Sequence, residues 1–419
     1  MTRSATTQPE NGPPTTHPEI EFTATQPESE FPATDLFGFA DRLSEAERAK
    51  LHALDALLDE QVRPYLAEWW ERAECPVHVR GELARLRLED DPDLLRGDGT
   101  LNPQYVGFRH FMLARCDLSV ATLYGGQVGM FRTVVREGGS PEQRAQLDPL
   151  IVSFELTGCF ALTEPDHGSD VARGLETVAT RHGDTWRING HKRWIGNAAV
   201  SDVIVVVAKD SSDGAAKAFM VPREAPGVAI SDVGSKLSLR MVRNADIRLT
   251  DVEVDESARL QRIDSFADIA AILAHLRPVV AWNAAGMQAG AYEAALRYAT
   301  HRHQFGRPIA GYQLIQDKLA RMLGNATASL AMAARLSDLR SQGRGGDAHS
   351  ALTKAWTSDR LRETVALARE ICGGEGIRVG NDVARYFADA EAVYTFEGTR
   401  EINHLIVGRA ATGLSAFTR

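Results

Sequence analysis

Apolar residues recur every three or four positions through Leu51, Leu54, Leu57, Leu58 and Val62, a spacing that gathers them on one face of a helix. Just upstream, Ser44 is followed three residues later by Glu47, the pairing of a capping box. Residues 106–125 and 128–137 keep the helical period, and Ser140-Pro141-Glu142 opens another helix. Residues 35–155 therefore read as a helical domain.

Near Leu156 the period falls to two, and residues 156–262 read as strands separated by turns. Thr185 to Ile188 and His191 to Ile195 flank Asn189-Gly190, which predicts a hairpin closed by a type I′ turn. Residues 201–208, 218–221 and 245–254 supply more strands. No long helix interrupts them, so a small antiparallel barrel or sandwich is expected. From 263 to 419 the helical period returns, with helices expected over 266–303, 312–343, 350–372 and 399–412. Four such helices make a bundle, in which Gly286 and Gly290 would let a neighbour approach closely. The expected fold is mainly α with a central β domain.

Residues 1–34 are rich in Thr, Pro, Gln and Glu and poor in large apolar groups, the composition of a disordered tail. They carry neither the basic start nor the apolar core of a signal peptide. A formal net charge of −9, with no clustered Lys or Arg, argues against nucleic acid as a partner. Runs such as residues 203–208 are too short to span a bilayer, so no membrane is expected either. Cys75, Cys116, Cys159 and Cys372 form no CxxC pair, which fits a reducing, cytoplasmic setting and no structural zinc.

Five segments carry candidate chemistry. In Tyr394-Thr395-Phe396-Glu397-Gly398-Thr399 a carboxylate lies among apolar residues, where its pKa would rise into the range of a general base. The same residues could instead cap a helix. The loop 159–170, with Phe160, Leu162, Thr163, Gly168 and Ser169, could bond a planar heterocycle or an anion through its hydroxyls and backbone, or be an ordinary turn. Trp194-Ile195-Gly196-Asn197 places poor strand formers in a strand. Arg302 to Pro308, followed by Gln313, ends a helix with cations and an isolated Phe305. Glu370-Ile371-Cys372-Gly373-Gly374 is a Gly-rich helix end, for which a simple C-cap is the strong alternative. No nicotinamide-type fingerprint, HExxH, GxSxG or Walker A motif is present, and the histidines show no metal-ligand spacing.

Leu162-Thr163-Glu164-Pro165…Gly168-Ser169-Asp170, Arg302-x-x-Phe305-Gly306 and Glu397-Gly398-Thr399, in this order, resemble the acyl-CoA dehydrogenase superfamily from about residue 40 onward. Residues 193–197 and 408–413 are most similar to the branch of glutaryl-CoA dehydrogenases and plant short-chain acyl-CoA oxidases. The resemblance implies FAD-dependent α,β-dehydrogenation of an acyl-CoA, or an acyl carrier protein thioester, by a homotetramer that passes electrons to an electron-transfer flavoprotein. It implies that Glu397 removes the α-proton. Phe160, Leu162, Thr163, Gly168, Ser169, Trp194, Ile195 and Gly196 would line the flavin. Arg302, Phe305, Gln313, Glu370, Ile371, Gly373 and Gly374 would reach a neighbour's cofactor, and Thr399 and Phe417 would also touch flavin. Ser169, Arg277 and Gly398 would meet the substrate.

Three positions depart from the pattern. Gly196 stands where most members carry Thr or Ser, and Glu370 where many carry Gln. Ala121 stands where glutaryl-CoA dehydrogenases carry the Arg that binds the distal carboxylate, with Ala114 and Gly125 at the nearby polar positions. A neutral, short or branched acyl group is therefore expected. The rival expectations are an oxidase using O₂, a flavin monooxygenase, and a non-catalytic flavoprotein.

Overall fold

Side-chain caps decide where the first helices begin. In the computed structural model, which describes residues 34–416, Ser44 and Glu47 exchange hydrogen bonds with each other's backbone N–H and open α1 (Glu45–Gln61). The expected tail up to residue 33, and Phe417, lie outside the described residues. Thr34 is buried, and its carbonyl accepts from Thr327 Oγ1 at 3.4 Å. After α2 (Leu66–Arg72) and α3 (Val79–Arg85), the stretch expected as one helix over 106–125 is two: α4 (Pro103–Cys116) and α5 (Leu118–Tyr124). The break is at Asp117, whose backbone is extended (φ −165°) and whose carboxylate accepts from the N–H groups of Ser119 and Val120, an N-cap. A π-helical turn, Gly125–Phe131, leads into α6 (Arg132–Gly138), and the Ser140 capping box opens α7 (Pro141–Val152).

The strands β1 (Gly158–Ala161), β2 (Val178–His182), β3 (Thr185–Gly196), β4 (Val203–Asp210), β5 (Ala216–Pro222), β6 (Val228–Asp232) and β7 (Asn244–Asp255) form one curled sheet, ordered β1-β4-β2-β3-β7-β6 with β5 on β4. The expected all-antiparallel pairing is corrected: β4 pairs parallel with both β1 and β2. The chain leaves β1 through the short helix α8 (Val171–Gly174) and the β2–β3 hairpin before returning as β4, and a crossover of that length permits parallel pairing.

The hairpin turn is also corrected. It lies at Gly183 (φ +64°) and Asp184, between the paired residues His182 and Thr185. Asn189-Gly190 instead runs through the middle of β3, where the register against β7 shifts between Ile188 and Gly190. Asn189 exchanges two hydrogen bonds with Asp251 across that bulge, and a Cβ on Gly190 would stand 2.3 Å from Thr177 Oγ1. Gly190 is required by close approach, not by a turn.

The remaining helices are α9 (Phe266–His301), α10 (Gln313–Ser341), α11 (Asp347–Cys372), α12 (Asp382–Thr395) and α13 (Arg400–Thr412), with a small hairpin of β8 (His303–Gln304) and β9 (Arg307–Pro308) between α9 and α10. The expected bundle of four lacked α12, whose apolar positions merge into those around Glu397. Gly286 and Gly290 do admit a neighbour: their missing Cβ atoms would lie 2.2 Å from Phe111 O and 2.5 Å from Arg115 O of α4. Among the described residues α9 is the one helix long and apolar enough to cross a membrane, a property that short apolar runs do not reveal. Here it is the bundle's central helix, buried against α4, α10 and α11. Leu276 of α9 shares a core with Phe160 and Leu162, which ties the β sheet to the bundle beside Arg277.

Candidate active site

The helix α12 stops at Thr395, and the chain reaches α13 in four residues. Two of them, Glu397 (φ +56°) and Gly398 (φ +82°), are left-handed, a conformation that costs a residue with a side chain about 1–2 kcal/mol. Thr399 Oγ1 accepts from Ile402 N–H at 3.3 Å and caps α13, so the capping reading of this segment is realised at Thr399. Glu397 is left for other work. Its carboxyl is pushed above the usual carboxylate range by burial, and Arg277 and Lys354 pull it partly back. Neither the Glu397 nor the Gly398 backbone N–H has a protein acceptor among the described residues. A carboxylate beside a free amide donor, in surroundings that raise its proton affinity, can take a proton from carbon while the donor meets developing negative charge on an adjacent oxygen.

Arg277 lies on α9, mostly buried, and pairs with Asp347 at the start of α11. Lys354, fully buried on α11, donates to Tyr394 O at 3.0 Å and Gly398 O at 2.8 Å. Asn403 Nδ2 donates to Gly398 O at 2.9 Å and to Thr399 O at 3.0 Å. Lys354 and Asn403 escaped the sequence reading. The available signal was a single Lys in the apolar run Ala351-Leu352-Thr353-Lys354-Ala355-Trp356.

Two of the other segments meet at the sheet. Arg193 N–H donates to Thr163 O at 2.9 Å, joining the loop after β1 to the end of β3. Phe160, Leu162 and Ile195 are buried, while Trp194 is 52% exposed at φ +64°. The Thr163 and Ser169 hydroxyls have no protein partner among the described residues, and Gly168 borders open space. A Cβ on Gly196 would make only ordinary contacts, the nearest Val242 at 3.7 Å, so sterics do not demand glycine there. Beneath the loop, Lys192 Nζ lies 2.8 Å from Glu164 Oε1 and 3.0 Å from Leu162 O, and Glu164 also accepts from the N–H groups of Glu176 and Thr177. This buried pair was missed too, although Lys192 keeps the inward parity of Trp186 and Ile188.

The remaining two segments meet elsewhere. Phe305 (φ +51°) and Gly306 (φ +82°) form the two-residue turn of the β8–β9 hairpin, the dihedral signature of type I′. Phe305 is 94% exposed at its tip. Arg302 has no side-chain partner among the described residues, and Gln313 starts α10, both in the open. Glu370 pairs with Lys318 of α10 at 2.7 Å, Ile371 is buried, and Gly373 (φ +56°) ends α11 with Gly374 facing open space. Lys354, beside Glu397, precedes Glu370 on the same helix by about 24 Å at 1.5 Å per residue. The structure thus gathers Glu397, Arg277 and Gly398 at one end of α11, and Arg302, Phe305, Gln313 and the 370–374 turn at the other.

Comparison with known proteins gives a consistent result. Family models described as acyl-CoA dehydrogenase, middle domain, and acyl-CoA dehydrogenase, C-terminal domain, match residues 159–252 and 266–412. A probable acyl-CoA dehydrogenase of Bacillus subtilis is 33% identical over 297 residues, 70% of this chain and 78% of that protein. A crystal structure of glutaryl-CoA dehydrogenase from Mycobacterium smegmatis superposes with a TM-score of 0.85 at 34% identity, covering 92% of this chain and 99% of that one. A structure of a glutaryl-CoA dehydrogenase from the same organism in complex with FADH2 does so with a TM-score of 0.84 at 29% identity, covering 91% and 98%.

Proposed function

The chain belongs to the acyl-CoA dehydrogenase family, an assignment that implies FAD-dependent dehydrogenation of an acyl-CoA, and on that premise we propose that it oxidises a neutral, short or branched acyl thioester to the trans-2-enoyl thioester with Glu397 as the base. The observation that carries this reading is the left-handed turn at Glu397, where a carboxyl with raised proton affinity stands beside backbone donors that have no acceptor among the described residues.

The residues present fit a flavin. Phe160 and Leu162 offer an apolar floor, Trp194 an exposed ring, and Thr163 and Ser169 hydroxyls without a protein partner among the described residues. Gly168, Ile195, Gly196 and Thr399 complete that lining in our reading. FAD, when bound, accepts the β-hydrogen with its electron pair. The chain's own part is the proton at the α-carbon. Glu397 takes it on its carboxylate, which Arg277 and Lys354 help to keep ionised. The Glu397 N–H would hold the thioester oxygen, whose charge grows as the proton leaves. Gly398, with no side chain, and Ser169 leave room for the thioester and its carrier.

Separation of the two motif groups along α11 supports assembly. Phe305 at the tip of a projecting hairpin, Arg302 with no side-chain partner among the described residues, Gln313 and the 370–374 turn would serve a neighbouring subunit's cofactor in a homotetramer. Electron-transfer flavoprotein is the acceptor we favour.

Ala121 supports the neutral substrate. It is buried on α5, and Arg115, a candidate substitute cation on α4, is engaged with Glu293 at 2.9 Å and Asp55 at 3.2 Å. Assaying butyryl-, isobutyryl-, hexanoyl- and glutaryl-CoA, each with an artificial acceptor and with O₂ alone, tests substrate and acceptor together. Turnover of a neutral thioester that requires the acceptor is expected. Equal rates with O₂ alone would make the protein an oxidase.

A further inference from the structure

Lys354 has an ammonium with no exposure to solvent and no carboxylate within salt-bridge distance among the described residues. Burying a cation in that way is unfavourable unless its hydrogen bonds are well met. Both of its protein acceptors flank the base: Tyr394 O at 3.0 Å and Gly398 O at 2.8 Å. Between those carbonyls α12 ends and the backbone turns left-handed at Glu397. Asn403 grips Gly398 O from α13, and Tyr394 Oη donates to Glu401 Oε1 across the turn at 3.4 Å, but among the described residues Lys354 is the one side chain that bonds backbone carbonyls on both sides of the turn.

We propose that Lys354 is a positioning residue of the reaction: its ammonium clamps the Glu397 turn in its left-handed form and sets a positive charge beside the base. The inference rests on Glu397 being that base. Charged groups approach from each element packed around it. Arg277 comes from α9, paired with Asp347 of α11; Glu401 and Arg400 come from α13, the latter paired with Asp359 of α11. Of these, Arg277 and Lys354 are the cations that act on the Glu397 carboxyl, and both favour its ionised form. Without Lys354 the base would hold its proton to higher pH, and the turn would lose the brace that holds its backbone carbonyls together.

The test is Lys354→Met in the holoenzyme, which keeps the length of the side chain and removes its charge and donors, with Lys354→Gln as the second variant should Met not fold. We expect kcat to fall about tenfold or more with KM changed less than about threefold, FAD content retained, and the acidic limb of the pH–rate profile displaced upward by about one pH unit. Amide exchange in 394–398 should also quicken. An unmoved acidic limb, whatever the loss in kcat, would reduce Lys354 to a structural role and overturn the proposal, as would unchanged exchange in 394–398. Should the wild-type protein turn over no acyl thioester, the family-based reading of the base fails, and the exchange measurement still decides on the clamp.

Discussion

Lys192 Nζ stands 2.8 Å from Glu164 Oε1 with both side chains closed to solvent, directly under the loop that carries Thr163 and Ser169. Burial pushes the Lys192 ammonium down to about 8, while Glu164, held by Lys192 and two backbone N–H groups, stays below the usual carboxylate range. Removing one partner of such a pair strands the other's charge. Lys192→Met should therefore destabilise the protein by about 3–5 kcal/mol and lower FAD occupancy. Lys192→Met with Glu164→Gln should recover part of that stability. Urea unfolding of both variants, each with its flavin-to-protein ratio, checks this.

Glycines on two helices should respond in opposite ways to the same change. A Cβ at Gly286 would lie 2.2 Å from the Phe111 carbonyl, a backbone atom that cannot move without the whole of α4. Gly286→Ala should cost about 1–3 kcal/mol, the range for overpacking. Gly324, exposed within α10, has nothing within 4 Å of its would-be Cβ, so Gly324→Ala should stabilise by up to about 1 kcal/mol through helix propensity. Thermal melts of the two variants decide.

Asp389 supplies a pH signature. Its carboxyl accepts from Leu239 N–H at 2.6 Å, and burial, with Asp117 nearby, pushes it up to about 7. Between the ordinary value of 3.8 and about 7 the folded state holds a proton that the unfolded state has released, so this group's contribution falls as pH rises through that window and levels off above it. Asp389→Asn mimics the protonated form. Its stability relative to wild type should improve between pH 5 and pH 8 by at least about 1 kcal/mol, since a tenfold change in proton affinity is worth about 1.4 kcal/mol. A gap independent of pH would contradict this.

Helical and two-residue periods were legible because they follow from which faces must be buried: the caps at Ser44 and Ser140 and the paired glycines of α9 came through unchanged. Asn189-Gly190 misled because the same dipeptide suits a tight turn and a bulge, and only the approach of Thr177 chooses between them. Parallel pairing of β4 is set by partners distant in sequence, and α12 was hidden by its continuity with the apolar residues around Glu397. Of the site, Glu397 stood out as a charge in apolar surroundings. Lys354 and Lys192 carried weaker signals, a lone Lys in a mostly apolar run and an inward strand parity, and only docking of the helix or strand turns these into burial.

The acyl tail should be selected by what α5 lacks. With Ala121 in place of a cation and Arg115 committed to Glu293 and Asp55, a distal carboxylate would be buried unpaired, a penalty of several kcal/mol. Glutaryl-CoA should be disfavoured about a hundredfold or more in kcat/KM against the best neutral chain. Parity between glutaryl- and butyryl-CoA would show that another group meets the carboxylate or that the tail stays solvated.

The base itself is tested by Glu397→Gln. Ionised Glu397 is disfavoured by its surroundings, so it detracts from stability above its raised pKa. The Gln variant should melt no lower than wild type at pH 8, with any gain vanishing as pH falls to the ordinary carboxylate range. Mixing wild type and Glu397→Gln anaerobically with a neutral acyl-CoA, and following loss of the oxidised flavin absorbance, reads the first chemical step alone. We expect rapid bleaching in the wild type and a rate lower by at least about a hundredfold in the variant, with flavin content unchanged. Equal rates of bleaching in the two proteins, or none in the wild type with any acyl thioester, would contradict it.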